Sequence, residues 1–98
     1  MYTHSLSLNY MIDQYATLKT LAIIAEESAN PTAYKCTPRE LILHTNNDWD
    51  VINRDMRTLQ SEELVEIVPN AATPLFSITF KGMEKILSLE GKTSFKHK

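Results

Sequence analysis

The residues best suited to metal or nucleophilic chemistry are one cysteine and three histidines, and they lie far apart in the sequence. Cys36 has no second cysteine with which to bind zinc, and His4, His44 and His97 follow no recognised metal-ligand spacing. Cys36 and His44 flank a short predicted helix, but nothing pairs them as a nucleophile and its base. We therefore expect a buried thiol at Cys36, a solvated imidazole at His44, and neither a metal nor a cofactor.

The carboxylate pairs Glu26–Glu27 and Glu62–Glu63 are equally unsuited to catalysis. Neighbouring residues of a helix point about 100° apart, so such pairs cannot share a proton across one substrate. We interpret them as solvated surface and predict that the chain is not an enzyme.

Arg54 and Arg57 have the chemistry of ligand recognition, because a guanidinium binds phosphates or a guanine edge through paired hydrogen bonds. At about 100° per residue, Asp48 and Asp55 lie toward the flank of their helix face. The face itself holds Asn47, Asp50, Val51, Arg54, Arg57, Thr58 and Ser61. Three roles fit Asp50, four residues before Arg54: a helix ion pair worth ~0.3–0.5 kcal/mol, a support that orients Arg54 toward guanine, or an acceptor for a cytosine amino group.

The bulk composition describes one ordinary globular domain. The 98 residues are 43% apolar and 22% charged, with a net charge of −2. We predict a single domain over residues 1–98, with its core at about 8–90 and a flexible basic tail at 91–98. The net charge excludes a strongly basic nucleic-acid binder but leaves room for a local basic patch.

Location is indicated by three features. Cys36 is the only cysteine, "MYTHSLSLNY" does not resemble a signal peptide, and the most apolar window, "LAIIA", is too short to span a bilayer. We expect a cytoplasmic protein that does not enter a membrane.

The apolar periods predict helix, helix, helix, strand, strand, helix. Residues 8–28 form the first helix, with one stripe of Leu8, Met11, Tyr15, Leu18, Ala22 and Ala25 and a second of Ile12, Ala16 and Ile23. Either the second stripe packs inside the domain or it meets a partner subunit. Thr37, Pro38 and Glu40 form a capping box for a short second helix whose predicted core contacts are Leu41 and Ile42.

The third helix spans about 48–61, with Trp49, Ile52, Met56 and Leu59 on its buried side. Trp49 could instead stack on a base, but its place on this stripe favours the core. Residues 64–80 form a β-hairpin, and Thr79 caps a last helix with Met83, Ile86 and Leu87 on its apolar face.

Two segments resemble the winged helix-turn-helix domains of MarR-like and PadR-like regulators. "MRTLQSEELVEIV" is similar to the end of the recognition helix, the turn and the first wing strand, and "SITFKGMEKIL" to the second wing strand and the helix after it. Two departures stand out: Glu62 or Glu63 occupies a turn position that often holds glycine, and the tip "PNAATP" lacks the basic residues of many wings.

The resemblance, which covers about residues 10–90, implies an α+β winged helix that binds double-stranded DNA and regulates transcription. The matching positions for DNA contact are Asn47, Asp50, Val51, Arg54, Arg57 and Thr58 on the third helix, with Arg39, Lys35 and Lys81 as neighbouring cations. It also implies a homodimer formed by the first and last helices. Tyr10, Tyr15 and Tyr34 could line an effector pocket, but no other feature supports one, and the short chain has no effector domain. A winged-helix protein-interaction module without DNA binding is the alternative.

Overall fold

The computed structural model describes residues 2–70 and 72–91, with side chains from residue 14 onward. Over this part of the chain, four α-helices and one antiparallel hairpin follow the predicted order, so the fold is α+β. The elements are α1 (Tyr2–Ala25), a 3₁₀ turn (Pro31–Ala33), α2 (Pro38–Thr45), α3 (Trp49–Ser61), β1 (Val65–Val68), β2 (Leu75–Ile78) and α4 (Phe80–Leu89).

The predicted limits of α1, 8–28, were wrong at both ends. The helix begins at Tyr2, because no proline or glycine interrupts the chain before its apolar period starts. It ends at Ala25, where the amides of Glu27 and Ser28 bond carbonyls only three residues back, which tightens the last turn. The predicted contacts of Leu8, Met11 and Ile12 lie outside the described side chains.

The buried face of α1 is wider than the predicted stripe. Leu18, Ala22 and Ala25 are buried and Tyr15 is half-buried, as predicted, but Thr17, Leu21 and Ile24 are buried as well. This width lets α1 pack against α2, α3, α4 and β2 at once. The second stripe does not join the core, because its described members Ala16 and Ile23 are both exposed.

The α2–α3 junction is fixed at each step by a local hydrogen bond. Thr37 and Glu40 form the predicted capping box, and Asn46 adopts a left-handed conformation (φ 65°) that ends α2. Asp48 then accepts a hydrogen bond from the Val51 amide and starts α3. The relative direction of the two helices is therefore set by capping residues within three positions.

The inner side of α3 anchors the core. Ile52, Met56 and Leu59 are fully buried, and the half-buried Trp49 ring lies 6.2 Å from the Phe76 ring, centroid to centroid. Trp49 therefore packs against the core and β2, as its position on the stripe predicts.

The turn after α3 places Glu63, and not Glu62, in the position where related turns often hold glycine. Glu63 adopts φ 66°, a conformation that glycine takes at lower cost. The Thr79 hydroxyl donates a hydrogen bond to the Glu63 carbonyl at 2.8 Å and accepts one from the Gly82 amide at 2.9 Å. Thr79 thus caps α4 and joins it to the turn.

Gly82 explains why α4 can lie so close to this turn. A Cβ at Gly82 would collide with the Leu64 carbonyl oxygen and would lie 2.7 Å from Ile78 Cγ1. Any larger residue would therefore push α4 away from the start of β1.

The hairpin pairs Val65 with Ile78 and Val68 with Leu75. The outer edge of β2 is covered by Cys36, whose backbone exchanges hydrogen bonds of 2.7 and 2.9 Å with Phe76. This bridge was not predicted. It fastens the segment before α2 to the hairpin and protects a strand edge that would otherwise be open.

Candidate nucleic-acid interface

The outer side of α3, here called the α3 solvent face, consists of Asp50, Val51, Arg54, Arg57, Thr58 and Ser61. Asp50, Arg54, Arg57 and Ser61 are exposed, and Val51 and Thr58 are half-buried. Asn47, the first predicted contact residue, is also half-buried, and its backbone amide donates a hydrogen bond to the Thr45 hydroxyl at 3.1 Å. The helical period therefore separated the inner and outer sides of α3 correctly for these residues.

Asp55 departs from its predicted place on the solvated flank. Only 3% of its surface is exposed, and its Oδ2 accepts a hydrogen bond from the buried Thr17 hydroxyl of α1 at 2.7 Å. The helical period had placed Asp55 toward the flank, and it could not reveal the Thr17 donor on α1 that compensates the burial of the carboxylate.

Arg54 pairs with Asp55, not with Asp50. Its Nη2 lies 3.5 Å from Asp55 Oδ1, and no ion pair of Asp50 occurs among the described residues. The predicted interaction between Asp50 and Arg54 is therefore wrong as a contact of this structure. The buried carboxylate attracts the guanidinium more strongly than an exposed one, because less water screens it.

Arg57 is the less restrained arginine of the α3 solvent face. Its Nε donates a long hydrogen bond of 3.4 Å to the Asn53 side chain one turn earlier. The Thr58 hydroxyl donates to the Arg54 carbonyl at 3.1 Å, so it is engaged within the helix. Of the two arginine side chains, that of Arg57 is therefore the less restrained by contacts within the fold.

The three other predicted cations are all exposed. The Lys35 ammonium lies 3.4 Å from the Ala33 carbonyl, and Lys81 forms a 3.3 Å ion pair with Glu63, in which both side chains are largely exposed. Such an exposed pair contributes little and separates readily when a phosphate approaches. Arg39, at the second position of α2, has no hydrogen bond or ion pair within the described part of the chain.

The hairpin tip provides no positive charge. Its described residues between the strands are Pro69, Asn70, Ala72, Thr73 and Pro74, and residue 71 is an alanine in the sequence. Near α3, the described cations that could attract a polyanion therefore lie on α3 itself and at the neighbouring helix starts, and not on the hairpin tip.

A second polar cluster surrounds Glu40 at the start of α2. Its carboxylate accepts hydrogen bonds from the Tyr34 hydroxyl at 2.6 Å and from the Thr37 amide at 3.0 Å. The bond to Glu40, followed by burial, raises the pKa of Tyr34 to about 12. Burial alone would raise the pKa of Glu40, but the bonds from Tyr34 and Thr37 outweigh it and hold that pKa below its usual value.

Cys36 lies beside this cluster and is fully buried. Burial first, and then the hydrogen bond to Glu40, raises the pKa of the thiol far above its ordinary value. Its Sγ donates to the Thr37 carbonyl at 3.5 Å, whereas exposed His44 contacts the Glu40 carbonyl. The burial of the thiol agrees with the prediction of Cys36 as a small buried side chain.

Glu62 was predicted to be simple surface, but it connects α1 to the end of α3. Its carboxylate accepts hydrogen bonds from the Tyr15 hydroxyl at 3.0 Å and from the Gln14 amide at 3.2 Å. Lys85 lies over the Tyr15 ring, 5.0 Å from its centroid. Burial and then the Glu62 bond raise the pKa of Tyr15. Tyr15 and Tyr34 both donate their hydroxyl protons to carboxylates of the chain, and the Tyr10 side chain lies outside the described residues.

The apolar surface between α1 and α4, here called the α1/α4 face, contains Ala16, Ile23 and Leu89. Ile23 is 49% exposed and Leu89 is 47% exposed. Two depressions of about 220 and 250 Å³ lie along this face, with the ion pair between Lys19 and Glu90 at both. The predicted last-helix contacts Met83, Ile86 and Leu87 face inward here, with Ile86 buried and the other two half-buried.

Within the described residues, no group of histidine, cysteine, aspartate and glutamate side chains could hold a metal ion. None of the described helices has the length and apolar character needed to cross a membrane. Comparison with protein-family models, with curated proteins and with solved structures found no match for this chain.

Proposed function

We propose that the chain is a small winged-helix DNA-binding protein that regulates transcription and inserts α3 into the major groove. The observation that carries this proposal is the α3 solvent face, which presents Arg54 and Arg57 on a helix whose start is capped by Asp48. The major groove is wide enough for one α-helix, and arginine is the side chain that most often reads guanine there.

The limited positive charge implies modest affinity for each domain. Phosphate contacts supply much of the affinity for DNA, and here they would come from Arg39, Lys35 and Lys81 around α3. The neutral hairpin tip adds none. Two copies bound to a two-fold DNA site would double these contacts.

The α1/α4 face is the surface that we propose for this homodimer. Ala16, Ile23 and Leu89 are apolar and exposed, although α1 already has a wide buried face inside the domain. Burying these side chains against a second copy would remove them from water, and the Lys19–Glu90 pair supplies both charge signs at the rim.

Selection of binding sites from random duplex DNA, followed by salt titration, tests the function. We expect the wild type to select a sequence, and Arg57→Ala to weaken the selected duplex more than a scrambled one. The neutral hairpin and the exposed α1/α4 face also suit a protein-interaction module. That function replaces the first if the wild type binds no DNA at about 50 mM salt, where phosphate contacts are strong.

A further inference from the structure

Asp55 is a buried acid whose two carboxylate oxygens serve different elements. Oδ2 accepts the 2.7 Å hydrogen bond from Thr17, and Oδ1 faces Arg54 Nη2 at 3.5 Å. Thr17 is itself 1% exposed and belongs to α1, which packs along α3. The carboxylate is therefore fixed by the core and cannot follow the arginine if the arginine moves.

Arg54 has the opposite surroundings. Two thirds of its side chain (66%) is exposed, and its hydrogen bond to Asp55 uses Nη2. A guanidinium has five N–H donors in one plane, so most of them remain directed to solvent. The arginine is thus attached to the core at one edge and free to bind along the rest of the fork.

We infer that Asp55 is a positioning residue that holds the Arg54 guanidinium at the α3 solvent face before DNA arrives. This inference rests on the proposed function of α3. A free arginine loses rotational freedom when it binds a base, and that loss weakens binding. Because Asp55 has already restricted Arg54, the guanidinium is ordered before the correct base binds. Less rotational freedom is then lost on binding, and discrimination between DNA sequences increases.

A purely structural role for Asp55 would have different consequences. Asp55→Asn retains an oxygen that can accept from Thr17 but removes the charge that attracts Arg54. Asp50→Asn is the matched control for the restraint of Arg54, because it removes the same charge from the exposed side of the same helix without a contact to Arg54 among the described residues. Arg54→Gln and the double variant with Asp55→Asn complete the set.

Two measurements on the full chain separate the roles. NMR of the arginine side chains reports how freely each guanidinium moves, with Arg39 as the free reference. Binding to a selected duplex and to a scrambled duplex gives the discrimination ratio. We expect Arg54 to be restrained in the wild type and released by Asp55→Asn, with a discrimination ratio lower by roughly 2- to 10-fold, the range for ordering one flexible side chain.

The remaining variants check that the effect passes through Arg54. Asp50→Asn should leave the restraint of Arg54 unchanged, and Asp55→Asn should cost no further discrimination once Arg54→Gln is present. A further loss in that background would overturn the inference, because Asp55 would then act through the helix itself.

The wild type alone provides a test if Asp55→Asn does not fold. An Arg54 guanidinium as mobile as that of Arg39 overturns the positioning role, whether or not DNA binds. A restrained Arg54 in a protein that selects no sequence instead contradicts the proposed function, and the role in DNA reading fails with it.

Discussion

On its inner side α3 presents Ile52, Met56 and Leu59 to the core, all fully buried, while on its outer side Arg54 and Arg57 face water. The inner side is held by packing from α1, α2 and β1. On the outer side, the side-chain contacts of the two arginines are long, 3.4 Å at Arg57 and 3.5 Å at Arg54. Packing therefore holds the inner side, whereas the outer arginines are largely free to contact a ligand. The exception is Arg54, which touches both sides through Asp55.

The largest expected effect is the loss of stability caused by a substitution on the buried inner side of α3. Met56→Ala should lower the free energy of unfolding by about 2–5 kcal/mol, because it removes a fully buried side chain and leaves a cavity. Gln60→Ala, on the exposed side of the same helix, is the matched control and should stay within about 0.5 kcal/mol of the wild type. Urea denaturation measures both, and equal losses would show that α3 is not divided as described.

The next effect concerns the proposed homodimer, which would present two α3 solvent faces instead of one. Ile23→Glu combined with Leu89→Glu should convert a dimer into a folded monomer, because charges are strongly disfavoured in an apolar contact. Leu43→Glu replaces an equally large exposed side chain on α2 and should leave the dimer intact. Sedimentation velocity distinguishes these states. A wild type that remains monomeric at micromolar concentration removes the dimer from the account.

A smaller effect separates backbone contact from base contact. Arg39 is exposed at the start of α2 and has no partner in the described residues, so its loss should not affect the fold. Arg39→Ala should weaken binding to every sequence alike and reduce the salt slope by about one unit, the contribution of one phosphate contact. A change in sequence preference would instead place Arg39 in a groove.

The smallest expected effect is a pH dependence at the α2 cap. Because the pKa of Glu40 is held below its ordinary value of 4.5, its charged form stabilises the fold above that pH. This stabilisation should be lost as the pH falls from 4.5 through the lower folded pKa. Glu40→Gln keeps an acceptor for the cap but has no charge to lose, so its unfolding temperature should fall less between pH 5 and about 3. Tyr34→Phe should reduce the same pH dependence, and an unchanged profile in both would exclude Glu40 as its source.

Local patterns predicted more of this fold than of its site. The capping box at Thr37 and the caps at Asp48 and Thr79 follow from bonds within a few residues, so the local sequence contains their determinants. The bridge between Cys36 and Phe76 and the burial of Asp55 depend on partners about 40 residues away. The periodicity of apolar residues along the sequence does not indicate which distant residues will be in contact.

The same distinction explains the error at Arg54. Helix spacing correctly placed Asp50 and Arg54 on one exposed face. It could not show that Asp55, which packing against α1 buries, would pair with Arg54 in place of Asp50. A threonine at position 17, on the inner side of a helix that faces α3, was the available signal, since a buried hydroxyl requires a polar partner.

The central claim is that the outer side of α3, and not another surface, binds DNA. The most direct measurement is an NMR titration of the wild type with a selected duplex and with a scrambled duplex of the same length, at about 50 mM salt. We expect the largest shifts at Asp50, Arg54, Arg57 and Thr58 with the selected duplex, while Ile23 and Leu89 are unaffected. Shifts centred on the α1/α4 face, or none with either duplex, would contradict it.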